Sequence, residues 1–161
     1  MTDQPSPMSS SLYRIYLAIQ SEQDVPLPDR KVILGDTLYA HPDAWGVVGI
    51  TDAALQAFAD SDFKTISSIG VVRAHVQKRA TIYSKLLESP LGFDEFMELF
   101  LGSDHCVLAT KQENATDDGL PKAYHKIDPK AGMFQRKGKT ANFRSKIEGA
   151  FLRDMYSKVA A

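Results

Sequence analysis

The sequence lacks the features that mark disulfide-stabilised, secreted and membrane-spanning proteins. It has one cysteine, Cys106, in 161 residues, which excludes an internal disulfide framework and a zinc site built from several cysteines. No stretch approaches the ~20 consecutive apolar residues that a membrane-spanning helix needs. Residues 1–11 contain no basic segment followed by an apolar one, as a secretory signal would. We therefore expect a cytoplasmic protein that has no membrane partner.

Length and composition predict one folded domain. With 43% hydrophobic and 24% charged residues, the chain has enough apolar side chains to build a core. Its length is close to the roughly 100–150 residues of a typical domain. Residues 1–11 are polar and include two prolines and four serines. We therefore expect a disordered leader over residues 1–11 and a single domain over residues 12–161.

The net charge of −1 conceals an uneven distribution of charge along the chain. Residues 1–119 hold nine Lys and Arg against seventeen Asp and Glu, whereas residues 120–161 hold ten Lys and Arg against three acids. Such asymmetry suggests a polyanionic partner for the basic end. The alternative is that the basic end folds back on the acidic body, so that the two neutralise each other.

Four segments have the composition of strands. Residues 12–19 and 31–39 are rich in β-branched and aromatic side chains, and a proline-containing segment between them predicts a loop. Residues 45–50 and 105–110 form shorter apolar runs. We expect these segments to form a small sheet, although short apolar runs also occur in buried helices.

Helical periodicity predicts about four helices. Thr51 supplies an N-cap hydroxyl for a helix over residues 52–59, and residues 69–88 carry apolar side chains at steps of three and four. A third helix over residues 93–101 has an aromatic stripe, and Thr140 can cap a final helix. Apolar residues recur every four positions in that final helix: Phe143, Ile147, Phe151 and Met155. The predicted class is α+β, with a small antiparallel or mixed sheet packed with about four helices in a single domain.

The polar side of the predicted final helix suggests nucleic-acid binding. Four residues follow one another at steps of three, four and seven, which places them along one stripe of a helix: Lys139, Asn142, Lys146 and Arg153. Arg136 and Lys137 precede the helix start, where backbone N–H groups without intrahelical partners favour an anion. These residues predict contacts to the phosphate backbone, which contribute affinity without reading bases. The alternative is a solvated helix face that carries an Arg144–Glu148 pair.

The histidines suggest an enzymatic alternative. In a single-metal phosphodiesterase or nuclease, a histidine activates water, an Asn or a second His holds a divalent cation such as Mg²⁺ or Mn²⁺, and a cation stabilises the transition state. His75 as the base, Asn114 as the metal ligand and Arg73 or Arg79 as the cation would fill these roles. His105 and His125 are alternative bases. Because periodicity places His75 inside a helix, the competing interpretation is a histidine that only packs there.

A third possibility is a protein–protein adaptor or inhibitor. Its acidic body would imitate nucleic acid or dock on a basic surface, and it would bind a basic partner rather than nucleic acid. Seven aspartates between residues 24 and 62 supply the charge: Asp24, Asp29, Asp36, Asp43, Asp52, Asp60 and Asp62.

Overall fold

The computed structural model describes residues 6–64, 66, 68–116, 121–137 and 140–160. The chain divides into two compact units, each built from two separate stretches. Residues 1–44 and 77–104 form the first, and residues 45–76 and 105–161 form the second. We refer to them as the helical unit and the α+β unit. In the described part of the chain, no helix combines the length and the apolar character needed to cross a membrane.

The elements of both units can be given in chain order. They are α1 (Pro7–Ser21), α2 (Leu27–Leu38), β1 (Gly46–Ile50), α3 (Asp52–Asp60), β2 (Val71–His75), α4 (Arg79–Glu88), α5 (Phe93–Ser103), β3 (His105–Thr110), α6 (Lys111–Ala115), β4 (His125–Lys126), β5 (Arg136–Lys137), β6 (Thr140–Ala141) and α7 (Glu148–Val159). A short 3-10 turn, Pro129–Ala131, lies between β4 and β5.

The helical unit consists of α1, α2, α4 and α5 around an aromatic core. The rings of Tyr16 and Phe96 stack with centroids 4.5 Å apart, and Phe100 continues the stack at 6.1 Å from Phe96. The Tyr16 hydroxyl donates to the carbonyl of Ser89 and accepts from the N–H of Leu91, so the buried phenol has both hydrogen-bond roles filled. These contacts anchor the segment that leads into α5.

The first two predicted strands are wrong, because residues 12–19 lie within α1 and residues 31–39 lie in α2 and its C-cap. Their β-branched and aromatic residues are compatible with helix when tertiary packing provides a buried face. In α1 that face recurs at steps of four and three through Leu12, Tyr16 and Ile19. Pro28, which predicted a loop, instead lies in the first turn of α2, where a missing N–H costs nothing.

The predicted disordered leader also differs from the structure over residues 7–11. These residues form the first turns of α1, with the Ser6 side chain accepting from the Ser9 N–H as an N-cap. The Ser9 hydroxyl is buried and lies 3.1 Å from Nε2 of His41. Residues 1–5 lie outside the described part of the chain.

The α+β unit contains a mixed four-stranded sheet with the order β2-β3-β1-β4. β1 and β3 are parallel, whereas β2 is antiparallel to β3 and β4 is antiparallel to β1. The predicted strands 45–50 and 105–110 are therefore confirmed as β1 and β3, and the helices predicted over 52–59 and 93–101 are confirmed as α3 and α5. The α+β class is confirmed, although seven α-helices occur among the described residues instead of about four.

Residues 69–88 form a strand and a shorter helix instead of the single predicted helix. Residues 71–75 are β2 and residues 79–88 are α4. Gly70 has a positive φ of 71°, which turns the chain into β2, and the β-branched pair Val71 and Val72 suits a strand. His75 therefore lies at the end of a strand.

The final helix, α7, begins later than predicted. It starts at Glu148, and Thr140 lies in the β5–β6 hairpin, so it does not cap the helix. The Glu148 side chain is fully buried and accepts from the Phe134 N–H at 3.0 Å and from Arg144 Nε at 2.8 Å. Its second oxygen accepts from the Arg144 backbone N–H. This carboxylate joins the turn at Phe134, whose φ is 56°, to the start of α7.

Replacing Glu148 with Gln should destabilise the α+β unit by about 3 kcal/mol, because the change breaks a buried, charge-assisted network and leaves Arg144 without its partner. Urea unfolding followed by circular dichroism measures this loss. The control is Asp154→Asn, whose pair with Lys158 is 62% and 72% exposed. An exposed pair contributes at most about 1 kcal/mol, so equal losses in the two variants would contradict the assignment.

Candidate functional site

The predicted phosphate-binding stripe does not lie on one helix. Because α7 begins at Glu148, Asn142 and Lys146 precede it and only Arg153 lies on it. Arg136 lies on β5, and Lys139 and the side chain of Lys137 lie outside the described part of the structure. The spacing of three, four and seven residues places these side chains on one stripe only if they share a helix. The β5–β6 pair and a turn precede α7 instead, so they do not.

Two arginines of the basic segment are held by carboxylates. Arg144 Nη2 lies 2.6 Å from Glu148 Oε1 and donates to the Gly132 carbonyl at 2.8 Å. The Arg144–Glu148 pair expected as the alternative is thus present, but it holds a buried carboxylate rather than lying on a solvated helix. Arg153 Nη2 lies 3.2 Å from Asp62 Oδ1, and its guanidinium lies over the Phe63 ring. At this point the basic end does pair with an acid from upstream.

The exposed Asp62 carboxylate has two cationic neighbours. Lys64 Nζ lies 2.7 Å from Asp62 Oδ2, and Arg153 bonds the other oxygen. The hydrogen bond from Lys64, followed by its charge and by Arg153, lowers the pKa of Asp62 from its ordinary 3.8. Arg153 therefore shares the Asp62 carboxylate with Lys64, and the lysine lies closer to that carboxylate than the arginine does.

Four lysines of the α+β unit are exposed and have no ion-pair partner among the described residues: Lys111 on α6, and Lys126, Lys130 and Lys146. Lys126 lies on β4, the edge strand, and Lys130 on the following 3-10 turn. The Arg144–Gly132 and Phe134–Glu148 hydrogen bonds hold the segment of Lys130 against the segment of Lys146. Lys126 and Lys130 fall outside the sequence stripe, and only the overall charge of residues 120–161 points to them.

The acids of the same unit are largely engaged within it. Across its full sequence the α+β unit has thirteen Lys and Arg against nine Asp and Glu, whereas the helical unit has six against eleven. Hydrogen bonds or ion pairs engage seven acids of the α+β unit: Asp52, Asp60, Asp62, Glu113, Asp128, Glu148 and Asp154. The folded chain thus separates a unit of charge +4 from one of −5.

His75 and His105 do not share one side of the sheet. In the antiparallel β2–β3 register His75 lies opposite Cys106, so these two side chains point to the same side of the sheet. His105 is the next residue along β3 and points to the other side. The His75 ring packs edge-on against Trp45, with centroids 4.5 Å apart. A packing role for His75 is therefore present, although on a strand instead of on a helix.

The predicted combination of His75 with Asn114 is not assembled. Asn114 lies on α6, which begins where Thr110 pairs with Val71, and His75 is at the opposite end of β2. Four strand residues span about 13 Å. Over the described ranges, no group of three or more His, Cys, Asp and Glu side chains is placed to hold a metal ion.

The two arginines considered as cations for that site have structural contacts. Arg73 donates to the carbonyls of Trp45 and Phe134, which fixes both chain segments beside β2. Arg79 belongs to the helical unit, where its Nε donates to the Tyr83 hydroxyl at 2.8 Å and its guanidinium lies over the Tyr83 ring.

A polar crevice of about 260 Å³ lies at the carboxyl ends of the parallel strands β1 and β3, where α3 and α6 begin. Thr51, Asp52 and Glu113 line it. Glu113 accepts from the Thr110 N–H at 2.8 Å and from the Thr51 hydroxyl at 2.9 Å, so the capping box of α6 also ties α6 to the cap of α3. The Thr-x-x-Glu spacing was the sequence signal for this network.

His125 lies beside the crevice. Its Nε2 donates to Asp52 Oδ1 at 2.5 Å, with the imidazole one-third exposed and the carboxylate 83% exposed. The carboxylate can orient the ring, which leaves Nδ1 as the nitrogen able to accept a proton. Among the histidines considered as bases from the sequence, His125 is hydrogen-bonded to a carboxylate, Asp52, that lines a cavity.

Comparison with protein-family models, with curated proteins and with solved structures finds no match to this chain. The functional proposals therefore depend on the geometry of the described residues.

We expect Asp62 to titrate below its ordinary pKa, and Lys64→Gln to raise that pKa more than Arg153→Gln does, because the lysine contact is shorter. Carboxyl NMR titration measures both. Since the folded pKa is lowered, any stabilisation by this cluster is present above pH 3.8 and is lost as the pH falls. An unchanged pKa in Arg153→Gln would show that Asp62 does not hold Arg153 in solution.

Proposed function

We propose that the α+β unit binds nucleic acid by contacting its phosphate backbone. The observation that carries the proposal is that Lys126, Lys130 and Lys146 are exposed and have no ion-pair partner among the described residues, in a unit whose acids are largely engaged. Exposed lysines without an ion-pair partner attract phosphates, and their binding releases the counterions condensed on the nucleic acid. A cytoplasmic location, expected from the sequence, belongs to the same proposal.

The proposed surface is centred on Lys126, Lys130 and Lys146. The phosphate contacts predicted from the sequence at Arg136, Lys137, Lys139 and Asn142 belong to the same proposal, with Lys139 and the Lys137 side chain outside the described residues. Arg153 contributes to this surface only if a phosphate displaces Asp62, because its guanidinium already donates to the Asp62 carboxylate. Contacts of this kind position a duplex or a single strand without specifying its sequence, so we expect binding to both DNA and RNA.

Reversing the three lysines together, Lys126→Glu, Lys130→Glu and Lys146→Glu, should weaken binding to a labelled oligonucleotide and flatten its salt dependence. The slope of log affinity against log salt should decrease in magnitude by about 2–3, since each phosphate contact contributes roughly 0.7–0.9. Fluorescence anisotropy between about 50 and about 200 mM salt measures the slope.

The matched control reverses the same amount of charge in the helical unit, through Arg14→Glu, Lys31→Glu and Lys85→Glu. Its net charge equals that of the test variant, but the proposed surface is intact. We expect it to keep most of the affinity and the slope of the unaltered chain. No binding at low salt, or an equal loss in the control, would contradict the proposal.

A second candidate function is phosphodiester hydrolysis with His125 as the base. The Asp52–His125 hydrogen bond beside the polar crevice favours it, because an oriented imidazole can remove a proton from an attacking water. Lys126 is the next residue on β4 and its side chain points to the other side of the strand, so this candidate site is separate from the lysine surface.

If this candidate is correct, His125→Gln and Asp52→Asn should each lower cleavage of a labelled oligonucleotide by about 100-fold or more, while His75→Gln leaves cleavage unchanged. Gel assays with and without added Mg²⁺ or Mn²⁺ measure the rates. Because His125→Gln keeps the three lysines, binding should persist. Cleavage that survives both substitutions would eliminate this site and leave the binding proposal standing.

A further inference from the structure

The outer side of α5 in the helical unit has an open groove of about 510 Å³. Its lining comes from one stripe of the helix together with the segment before it: Leu91, Glu95, Glu98, Leu99, Gly102 and Ser103. Within α5 these positions recur at steps of three and four and form a stripe next to the buried face of Phe96 and Phe100. The groove is therefore a continuous face about two helical turns, or roughly 10 Å, long.

The groove combines an apolar floor with acidic walls. Leu91 and Leu99 are half-buried, whereas Glu95 and Glu98 are exposed beside them. The chain has no Lys or Arg from residue 86 to residue 110, a stretch that also contains Glu88, Asp94 and Asp104. The local charge is thus acidic, in line with the −5 of the whole helical unit.

The groove is held in shape by hydrogen bonds behind it. The Leu91 N–H donates to the Tyr16 hydroxyl, and the Leu91 carbonyl accepts from the Tyr13 hydroxyl at 2.9 Å. Glu95 accepts from the Gly92 N–H at 3.1 Å and so begins the helix with its carboxylate at the groove wall. A preformed site of this kind loses little conformational entropy on binding.

Gly102 leaves the carboxyl end of the groove open. A Cβ built at this position meets no heavy atom within 4 Å. A partner side chain can therefore lie over the helix backbone there, and a larger residue at 102 can fill the groove without disturbing the fold.

We propose that the α5 groove binds a basic amphipathic helix of a partner protein. Apolar side chains at steps of three and four would pack on Leu91, Leu99 and the opening at Gly102. Lys or Arg on the flanks of that helix would pair with Glu95 and Glu98, and the absence of cations in this stretch of the sequence supplies the charge complementarity. This interaction is independent of nucleic-acid binding by the α+β unit.

The test uses the full chain and a labelled helical peptide that has leucines on one face and lysines on both flanks. Gly102→Phe should weaken binding about tenfold or more by filling the groove, and Glu98→Lys should do the same by charge. Asp24→Lys, a charge reversal at an exposed loop residue of the same unit outside residues 86–110, should change the affinity by less than about threefold. Circular dichroism of each variant should match that of the unaltered chain.

Two altered peptides separate the groove from simple charge attraction. Replacing the leucines with serine, or the lysines with glutamate, should each abolish binding, and amide chemical shifts should change at residues 91–103. Equal binding of the serine peptide, or full binding to Gly102→Phe, would overturn the proposal. Concentration-dependent dimerisation that Gly102→Phe removes would overturn it in favour of a second copy of the chain. Because nucleic-acid binding is measured with other residues, failure of one proposal does not affect the other.

Discussion

The buried carboxylate of Glu148 is the constraint on which the irregular part of the α+β unit depends. A charged group in a packed interior is stable only when it is paired and hydrogen-bonded. Here the bonds come from the Arg144 side chain, the Arg144 N–H and the Phe134 N–H, so one carboxylate connects a turn to a helix start. The stretch from the 3-10 turn to α7 has few regular elements, and this network gives it a defined path.

The same network determines which cations face solvent. Arg144 pairs with Glu148. The hydrogen bond that Arg144 also donates to the Gly132 carbonyl brings the segments of Lys130 and Lys146 together. Arg153 is turned toward Asp62 and Phe63. Arg144 and Arg153, whose planar guanidinium groups suit bidentate and stacked contacts, thus have structural contacts, whereas Lys126, Lys130 and Lys146 remain for an external ligand.

Folding also sorts charge between the two units. The acidic and basic halves noted in the sequence do not coincide with the units, because each unit is made of two separate stretches. Nevertheless the basic end and the whole four-stranded sheet belong to the positive unit, while α5 and its neighbours form the negative one. One chain thereby offers a surface suited to phosphates and a groove suited to a basic helix.

Local signals predicted part of this fold correctly. Thr51 caps α3 as expected because a cap depends on a hydroxyl and an N–H three residues away. The apolar runs at 45–50 and 105–110 are strands because they lie at the centre of the sheet, covered on both sides. By contrast, residues 12–19 and 31–39 have strand-like composition but are helices, since their buried faces are decided by packing against other helices, as in the Tyr16–Phe96 stack.

The arrangement of the candidate site depends on contacts between distant residues more strongly than the fold class does. The charge imbalance, the cap of α3 and the two central strands follow from neighbouring residues, and the amino-acid sequence by itself determined them. The interruption of the basic stripe, the opposite sides taken by His75 and His105, and the meeting of Asp52 with His125 were decided by the tertiary structure alone. The physical reason is that strand register and the pairing of buried charges join residues that are far apart in the chain, and sequence periodicity contains no information about those partners.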